Sequence, residues 1–392
     1  MFPDRGILPW LERLRQEVPG IEPIDAHTHL GSNDPDGYRC SRQELVDALE
    51  HLDGRAIVFP MQEPNGYPAA NDMVIEEAAA ADGRLFPFCR LDPHDNPVAE
   101  ARRCLELGAR GLKLHPRAEG FTLDHPALRE VFTLADEEQL PVLCHAGRGI
   151  PALGRDAVDA CGRHPGMRLI LAHAGISDLA WIWRAAQNYP NLYFDTSWWL
   201  PSDIQALFAL VPPGQILMAS DAPYTPPAFG ATMAMRHALQ LGLEPDQVRG
   251  VLGGQAARLV AREEPLDLGP ATGTERISRD PLLERVHSYL LSAVGQMLGG
   301  LDAAETLSLA KLACEVGNDA PQAPVCRMVL ALIEEQSRYS PDTDHDPPRR
   351  FTPGVQLIVA AAGLARTPDV TLPPAPPGAD VAERVRGDAS EE

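Results

Sequence analysis

The chain has 392 residues, 44% hydrophobic and 23% charged, which is ordinary for a soluble globular protein and excludes a fibrous repeat or disorder along the whole chain. Its 34 basic and 55 acidic residues give a net charge of −21, which disfavours partners that carry a phosphate backbone or an anionic membrane surface. We therefore expect neither a nucleic acid nor a membrane as partner.

The N-terminal sequence and the cysteines indicate the compartment. Residues 1–5 lack the basic start and the apolar run of a secretory signal, and no stretch is long and apolar enough to span a bilayer. The seven cysteines include no CxxC pair, and an odd number in a chain without a signal is typical of reduced thiols. We expect a cytoplasmic protein.

Eight short apolar runs alternate with amphipathic stretches between Ile21 and about Ala261, which is the pattern of repeated βα units around a parallel sheet. Eight strands with intervening helices close most simply into a barrel, so the predicted fold class is α/β, a (β/α)8 TIM barrel over residues 1–264. An open doubly wound sheet is the alternative. The predicted strands are Glu22–His27, Arg55–Pro60, Arg84–Leu91, Gly111–His115, Pro141–His145, Arg168–His173, Asn191–Thr196 and Gln215–Ser220.

Several helix ends are marked between these strands. Ser41 and Glu44 have the spacing of a capping box, in which each side chain bonds the backbone of the other residue at a helix start. Gly108 and Gly166 stand just before predicted strands, where we expect a left-handed C-cap or a tight turn. The sequence therefore predicts helices between the strands, as a barrel requires.

The chain changes character after the barrel. Residues 265–280 are rich in Gly, Pro and charge, which predicts a linker. Residues 281–338 return to three- and four-residue apolar spacing, which predicts a helical extension whose apolar faces pack against something and allow a homo-oligomer. Residues 339–392 form a Pro- and Asp-rich tail that we expect to be partly disordered, with one apolar segment, Val355–Ala362, able to dock as a helix or a strand.

Residues that can carry chemistry stand at the ends of several predicted strands, where a parallel barrel opens its active face. His27 and His29 are two positions apart on the first strand, so their imidazoles point to the same side, and Asp25 shares that parity. Two histidines at this spacing can also be ordinary polar residues at a strand end that bind no metal. Three more candidates follow an apolar run at the same relative height: His145, His173 and Asp221.

The combination of these residue types predicts a metal centre. Neutral imidazoles with one carboxylate suit a divalent ion, zinc first and manganese or iron as alternatives.

Five short motifs contain these positions: Asp25-Ala26-His27-Thr28-His29, Gly111-Leu112-Lys113-Leu114-His115-Pro116, His145-Ala146-Gly147, Leu171-Ala172-His173-Ala174-Gly175 and Ser220-Asp221-Ala222-Pro223. Together they resemble the signature of the amidohydrolase-related family within the metal-dependent hydrolase superfamily. The resemblance spans about residues 20–262 and includes Gly253–Leu259, which is similar to the closing helix of those barrels. It implies a TIM-barrel enzyme with a metal cofactor.

The resemblance also implies roles for single residues. His27, His29, His145 and Asp221 would hold or flank one metal ion, with His173 beside it as a base or an orienting acid. A bound divalent ion lowers the pKa of its water from about 15.7 toward about 7. A nearby carboxylate can accept the proton while it orients the nucleophile, so Asp221 is a ligand, a base or both.

Lys113, at the end of the fourth predicted strand, has two interpretations. Binuclear members of the superfamily use a carboxylated lysine from this strand as a bridge, so a second ion is expected only if Lys113 carries that modification. Unmodified, Lys113 would neutralise a carboxylate or hold an anionic substrate. His115 shares its parity and either lines the same mouth or caps the strand end.

Basic and aromatic residues near the strand ends indicate the substrate. Arg90, Arg117 and Arg148 can grip a carboxylate with planar guanidinium groups, which predicts an acidic small molecule, although arginines are also common in surface loops. Trp198 forms an aromatic wall or packs the barrel rim. The predicted substrate contacts are Arg90, Lys113, Arg148 and Trp198.

The other polar candidates have structural interpretations. Asp195 is expected to make a structural hydrogen bond at the mouth. The chain has no GxSxG elbow, no phosphate-binding GxxxxGK[ST] and no GxGxxG after the first strand, so other catalytic schemes are not indicated. The histidines expected at the surface or without a role are His51, His94, His125, His164 and His237.

The leading functional hypothesis is hydrolysis of a C–O or C–N bond in a small, carboxylated compound by a metal-activated water. The same ligand layout also resembles nonoxidative decarboxylases, in which the ion orients a carboxylated substrate for loss of CO2. A third hypothesis is a non-catalytic barrel that serves as an interaction module. A broken ligand set would favour it, and none of the five key positions is lost.

Overall fold

A computed structural model describes residues 6–178, 181–338 and 354–374. The described chain forms two compact units, residues 6–278 and residues 279–338 with 354–374. The disorder predicted for the tail falls on 339–353 and 375–392, which lie outside the described residues. The linker predicted at 265–280 and the domain boundaries around it stay predictions.

Eight parallel strands form the sheet of the first unit, and each strand pairs with the next one in chain order. They are β1 (Ile24–Leu30), β2 (Arg55–Pro60), β3 (Leu85–Arg90), β4 (Gly111–Leu114), β5 (Pro141–Cys144), β6 (Arg168–Leu171), β7 (Leu192–Asp195) and β8 (Ile216–Leu217).

Backbone hydrogen bonds join the last strand to the first and close the barrel. The Ala26 amide donates to the Met218 carbonyl at 2.9 Å, and the Asp221 amide donates to the His27 carbonyl at 2.9 Å. The predicted (β/α)8 TIM barrel is therefore confirmed. β8 has 2 residues and is shorter than predicted, because the chain beyond Leu217 bonds to β1 through these separate contacts instead of a regular ladder.

The helices of the first unit are α1 (Leu8–Glu17), α2 (Arg42–Glu50), α3 (Pro68–Ala79), α4 (Pro97–Leu107), α5 (Pro116–Glu119), α6 (Leu128–Glu137), α7 (Leu153–Arg163), α8 (Trp181–Ala185), α9 (Pro201–Leu210), α10 (Pro227–Gln240), α11 (Pro245–Arg249) and α12 (Gln255–Ala261). Two predicted helix ends are confirmed. Ser41 and Glu44 form a capping box at the start of α2, and Gly108, at φ +111°, is the left-handed cap that ends α4.

The barrel interior is filled by one cluster of buried apolar side chains, to which Ala26 of β1, Phe59 of β2 and Leu259 of α12 belong. The pairing of β1 with β2 shifts between Asp25 and Thr28. Such an irregularity changes the phase of a strand, so His27 can follow the core residue Ala26 on the inner side of the barrel. The shift therefore carries the histidines of β1 into the barrel mouth.

The second unit consists of four helices: α13 (Pro281–Leu298), α14 (Ala304–Ala313), α15 (Ala323–Gln336) and α16 (Val355–Arg366). They confirm the predicted helical extension, and the apolar segment of the tail forms α16, which packs against α13 and α15. Asp280 caps α13 by accepting from the amides of Leu282 and Leu283. No helix in the described part of the chain is long and apolar enough to cross a membrane.

His287 of α13 makes the second unit sensitive to acid. Its side chain is buried, its Nδ1 lies 3.2 Å from the Ala362 carbonyl oxygen of α16, and burial lowers its pKa to about 4. The unfolded chain, with a histidine pKa near 6.5, takes up the proton first as the pH falls, so stability is lost between about pH 6.5 and pH 4. We expect His287 to lower the free energy of unfolding by about 2 kcal/mol from pH 7 to pH 5.

Urea unfolding near pH 7 and near pH 5 measures this effect. His287→Asn retains a donor for the Ala362 carbonyl but does not titrate, so the smaller loss in the variant isolates His287 from the other histidines. An equal loss in parent and variant would contradict the prediction.

Candidate active site

The carboxyl ends of β1 and β8 bring three candidate metal ligands together. His27 Nε2 and His29 Nε2 each lie 3.1 Å from Asp221 Oδ1. One ligand atom from each of the three residues lies within 4.8 Å of the others. Two imidazoles and a carboxylate that converge in this way suit a divalent cation.

The backbone at Asp221 is shaped for this convergence. Asp221 has φ +64°, a left-handed conformation that is uncommon for a residue other than glycine. Its amide donates to the His27 carbonyl, and its carbonyl accepts from the Tyr224 amide at 2.9 Å. Backbone strain of this kind concentrates at functional sites, where surrounding contacts hold it in place.

Asp195, at the end of β7, orients His27. Its Oδ2 lies 2.8 Å from His27 Nδ1, and both side chains are almost completely buried. Because a carboxylate only accepts, Nδ1 carries the proton and His27 Nε2 keeps its lone pair toward Asp221. The structural hydrogen bond expected of Asp195 is present, and it fixes the tautomer of a candidate ligand.

Asp195→Asn is expected to lower metal affinity about 10- to 100-fold, because the charged acceptor that holds the imidazole and raises its basicity is lost. Competition with a chelating dye measures the affinity. Asp92→Asn is a matched control, since Asp92 Oδ1 lies 2.8 Å from His94 Nδ1 in an exposed pair outside the site. Equal affinities in the two variants would contradict this role.

His173 and His145 form a second pair beside the three ligands. His173 Nδ1 lies 2.8 Å from the Ser197 carbonyl oxygen and so carries the proton. His173 Nε2, 3.0 Å from His145 Nδ1, therefore accepts from His145. The lone pair of His145 is thus on Nε2, a buried atom without a hydrogen-bond partner among the described residues. His145 lies next to His173 and is not one of the three converging ligands, but its Nε2 has a lone pair that could bind a metal.

Two neighbours fix the position of the His145 ring. His115 stacks on it, with ring centroids 3.8 Å apart and planes 9° apart. A Cβ on Gly147 would come within 2.7 Å of His145 Nε2, so only glycine leaves room for the ring. His115 also accepts from the Ala118 amide at the start of α5, so it both lines the mouth and caps the end of β4.

Lys113 is buried next to the metal ligands. Its Nζ lies 3.3 Å from His27 Nε2 and 4.2 Å from the centre of the Phe59 ring. Burial, with a further contribution from Arg90, lowers its pKa to about 7, although Asp221 acts in the opposite direction. The amine is therefore partly uncharged near neutral pH.

Arg90 is held in a buried ion pair. Its guanidinium donates to Glu119 Oε1 at 2.7 Å, and the Tyr67 hydroxyl donates to the same oxygen at 2.6 Å. The guanidinium carbon also lies 4.8 Å from the centre of the Tyr67 ring. These contacts make the guanidinium part of the wall of the site and leave it 1% exposed.

Arg148 and Trp198 lie beyond the carboxyl ends of β5 and β7, and they contact each other. The Arg148 guanidinium carbon is 5.3 Å from the centre of the Trp198 ring, and the Trp198 indole N–H donates to Asp203 Oδ2 at 2.8 Å. Arg148 and Arg117 are exposed, so their guanidinium groups are open to solvent. Arg148 and Trp198 together present a positive charge beside an aromatic ring.

The remaining histidines lie outside this arrangement. His51 and His94 are exposed, as expected. His237 is 1% exposed in α10, so of the two expectations for it a surface position is wrong, and the absence of a role stays a prediction. A helix of the barrel can bury a histidine on its inner face, and the isolated position gave no signal of this.

Burial sets the protonation of the candidate ligands. It lowers the pKa values of His27, His29 and His145 well below 6.5, which leaves neutral imidazoles with lone pairs for a metal. Burial also raises the pKa of Asp221 well above its ordinary value. The Asp221 side chain is 21% exposed, and a carboxylate so largely shielded from solvent beside neutral imidazoles is stabilised by a cation. This set of residues therefore fits a divalent metal ion.

The family model for amidohydrolases matches residues 24–262, which is more than half of the chain. The chain belongs to the amidohydrolase family. The match starts at the first residue of β1 and ends just after α12, so it contains the barrel and the converging ligands. The amidohydrolase family typically uses a divalent metal, and His27, His29 and Asp221 could hold one in this member.

Solved structures share the barrel of this amidohydrolase. The 5-carboxyvanillate decarboxylase from Sphingomonas paucimobilis is 16% identical, with a TM-score of 0.50, and the match covers 62% of this chain and 99% of that one. A putative amidohydrolase from Staphylococcus aureus is 18% identical, with a TM-score of 0.50, over 62% of this chain and 100% of that one. Identities this low show the fold alone. No curated protein matched the sequence.

Sequence reasoning missed two polar contributors to this amidohydrolase site. The Ser197 carbonyl oxygen accepts a hydrogen bond from His173 Nδ1, and the Ser197 hydroxyl donates to Asp195 Oδ1 at 2.5 Å. It stands two residues beyond Asp195, so the parity that paired His27 with His29 could have found it. Glu119 lies on the short α5 after β4, and no pattern in the sequence distinguishes it.

Proposed function

We propose that this amidohydrolase hydrolyses a C–O or C–N bond of a small, carboxylated compound with a metal-activated water. The observation that carries the proposal is the convergence of His27, His29 and Asp221 within 4.8 Å at the barrel mouth. We assign His145 as a fourth ligand, because the hydrogen bond to His173 leaves its free lone pair on Nε2.

A bound divalent ion would acidify a water molecule and polarise the bond to be broken. Asp221 presents Oδ1 to the two imidazoles of β1 and Oδ2 to His173, whose Nδ1 is 4.0 Å away. One oxygen can therefore hold the ion while the other accepts a proton. His173, held by Ser197 and His145, orients the reacting groups beside Asp221.

Basic residues at the barrel mouth are proposed to bind the substrate carboxylate. Lys113 faces the ligands from inside the barrel, and Arg148 faces outward with Trp198 as an aromatic platform. The ion pair with Glu119 gives Arg90 a positioning role in the wall, and its direct contact with substrate stays a prediction.

We propose zinc as the ion, with manganese or iron as alternatives, because imidazole and carboxylate ligands suit all three. One ion per chain is expected, and a second only if Lys113 is carboxylated. A cytoplasmic location and a homo-oligomer through the helical extension also stay proposals. Family membership favours an enzyme over the non-catalytic interaction module.

The second candidate function is metal-dependent, nonoxidative decarboxylation of a small carboxylic acid. Two observations favour it: the buried amine of Lys113 next to the ligands, and the barrel shared with the 5-carboxyvanillate decarboxylase. The same residues, His27, His29 and Asp221, would hold the ion in either reaction. The ion would supply water activation in hydrolysis and orientation of the substrate in decarboxylation.

Mass spectrometry of the products separates the two reactions. The metal-loaded protein is incubated with a panel of lactones and aromatic acids, beside metal-free protein and His27→Ala. Gain of water by a substrate supports hydrolysis, and loss of CO2 supports decarboxylation. Turnover by the metal-free protein at the rate of the loaded one would exclude both.

A further inference from the structure

An open cavity of about 410 Å³ lies at the amino-terminal end of the barrel, opposite the strand ends that carry the candidate metal ligands. It lies between the starts of β2, β3 and β4 on one side and α12 on the other. Its volume is within the range of about 300–1,000 Å³ that is usual for small-molecule sites. The side chains that matter for its chemistry are Arg55, Phe86, Arg110, Ala257, Arg258 and Glu263.

Three arginines concentrate positive charge in this cavity on a chain whose net charge is −21. Within the described residues, the Arg110 guanidinium forms neither an ion pair nor a hydrogen bond. Arg55 lies 3.6 Å from Glu22, whose side chain is 86% exposed, and Arg258 pairs with the half-exposed Glu263 at 2.7 Å. Ion pairs as exposed as these contribute little, so both guanidinium groups can turn to a ligand at small cost.

The cavity also has an apolar surface that inorganic anions would leave unused. Phe86 and Ala257 are partly buried and pack against the core cluster of the barrel. The Arg55 guanidinium carbon is 5.6 Å from the centre of the Phe86 ring. An apolar body can rest on this surface while carboxylates meet the guanidinium groups, which bind such planar groups through paired hydrogen bonds.

We propose that this cavity binds a small organic anion with two or more carboxylates on an aromatic or aliphatic body. The site is separate from the catalytic mouth, because it lies at the opposite end of the strands. A ligand there touches no reacting group. A ligand bound there would join the amino-terminal ends of β2, β3 and β4 to α12, and by mass action it would stabilise the folded barrel.

Isothermal titration of the full metal-loaded chain with benzene-1,3-dicarboxylate tests the proposal. We expect saturable binding that weakens about tenfold in Arg110→Gln and further in Arg110→Gln/Arg258→Gln, since each change removes charged hydrogen bonds. Arg129→Gln removes the same charge from an exposed position on α6 and should leave the affinity unchanged. Inorganic phosphate should bind more weakly than the dicarboxylate, because it lacks the apolar body.

A dicarboxylate can also enter the catalytic mouth, so two variants separate the ends of the barrel. Affinity that persists in Arg148→Gln and His27→Ala supports the arginine cavity, and loss in either of them places binding at the mouth and overturns the proposal. Ala257→Phe fills the cavity without a change of charge and should abolish binding.

Other results would also overturn the inference. Parent protein that shows no saturable binding, or an affinity that is unchanged in the double arginine variant, excludes the site. Phosphate binding as tight as that of the dicarboxylate excludes the assigned ligand class. If Ala257→Phe does not fold, the arginine variants still decide, because the side chains that they change are on the surface of the cavity.

Discussion

Asp221→Asn is expected to lower kcat about 10³-fold with little change in fold. Asparagine has almost the same shape, but it cannot neutralise an ion and cannot accept a proton from bound water. Asp221 supplies the one carboxylate among the three converging ligands of the described chain, so its charge has no substitute there. Steady-state kinetics with the substrate identified by mass spectrometry measures the loss.

Asp203→Asn is the matched control for this change. Asp203 also lies at the carboxyl end of the barrel, where it accepts a hydrogen bond from Trp198 and not from a candidate ligand. We expect a modest change in KM and little change in kcat. An Asp221→Asn variant that retains the kcat of the parent would rule out Asp221 as ligand and as base.

His27→Ala is expected to reduce bound metal from about one ion per chain to a small fraction of that value. The substitution removes a candidate ligand whose lone pair is directed to Asp221 by the hydrogen bond with Asp195, and it leaves the Asp221 carboxylate with one imidazole fewer. Loss of one of the three converging candidate ligands is expected to weaken binding strongly. Elemental analysis of dialysed protein measures the content.

His94→Ala controls for the loss of a histidine as such, because the His94 side chain is 52% exposed and pairs with Asp92 outside the site. Metal content should match the parent. If His27→Ala also matches the parent, the central metal assignment is lost. Two ions per parent chain would instead identify Lys113 as a carboxylated bridging ligand.

The period of the apolar residues was enough to predict the barrel. Each predicted strand overlaps an observed one, and the capping box at Ser41 and Glu44 marks a helix start as expected. Gly166 illustrates a weaker signal. It lies in the predicted tight turn, in which the Met167 amide donates to the His164 carbonyl, and it does not adopt a left-handed conformation. A Cβ there would also come within 2.5 Å of the Asp136 carbonyl oxygen. The sequence indicates that glycine is needed, but a turn and a close approach between distant segments give the same signal.

The candidate site was predictable where single residues stand at strand ends. His27, His29 and Asp221 meet because parallel strands end on the same side of the barrel. Their fine geometry was not predictable. The phase shift of β1 depends on its pairing with β2, and the free lone pair of His145 depends on a hydrogen bond with His173.

Side chains that pair across long stretches of sequence are a further limit. The position of Arg90 at a strand end was visible in the sequence, but its hydrogen bond to Glu119, 29 residues away, was not. Arg148 and Trp198 meet across the mouth in the same way. Contacts of this kind are set by how the loops pack, and neither periodicity nor local spacing encodes them.

The order of synthesis has a consequence for the helical unit. α16 has most of its residues buried against α13 and α15, yet it is the last of the described helices to leave the ribosome. The barrel, which closes with α12, can fold while that helix is still being translated. A nascent chain, or one that stops at Arg338, leaves the apolar faces of α13 and α15 uncovered. We therefore expect such chains to recruit chaperones or to aggregate, while their barrels are complete.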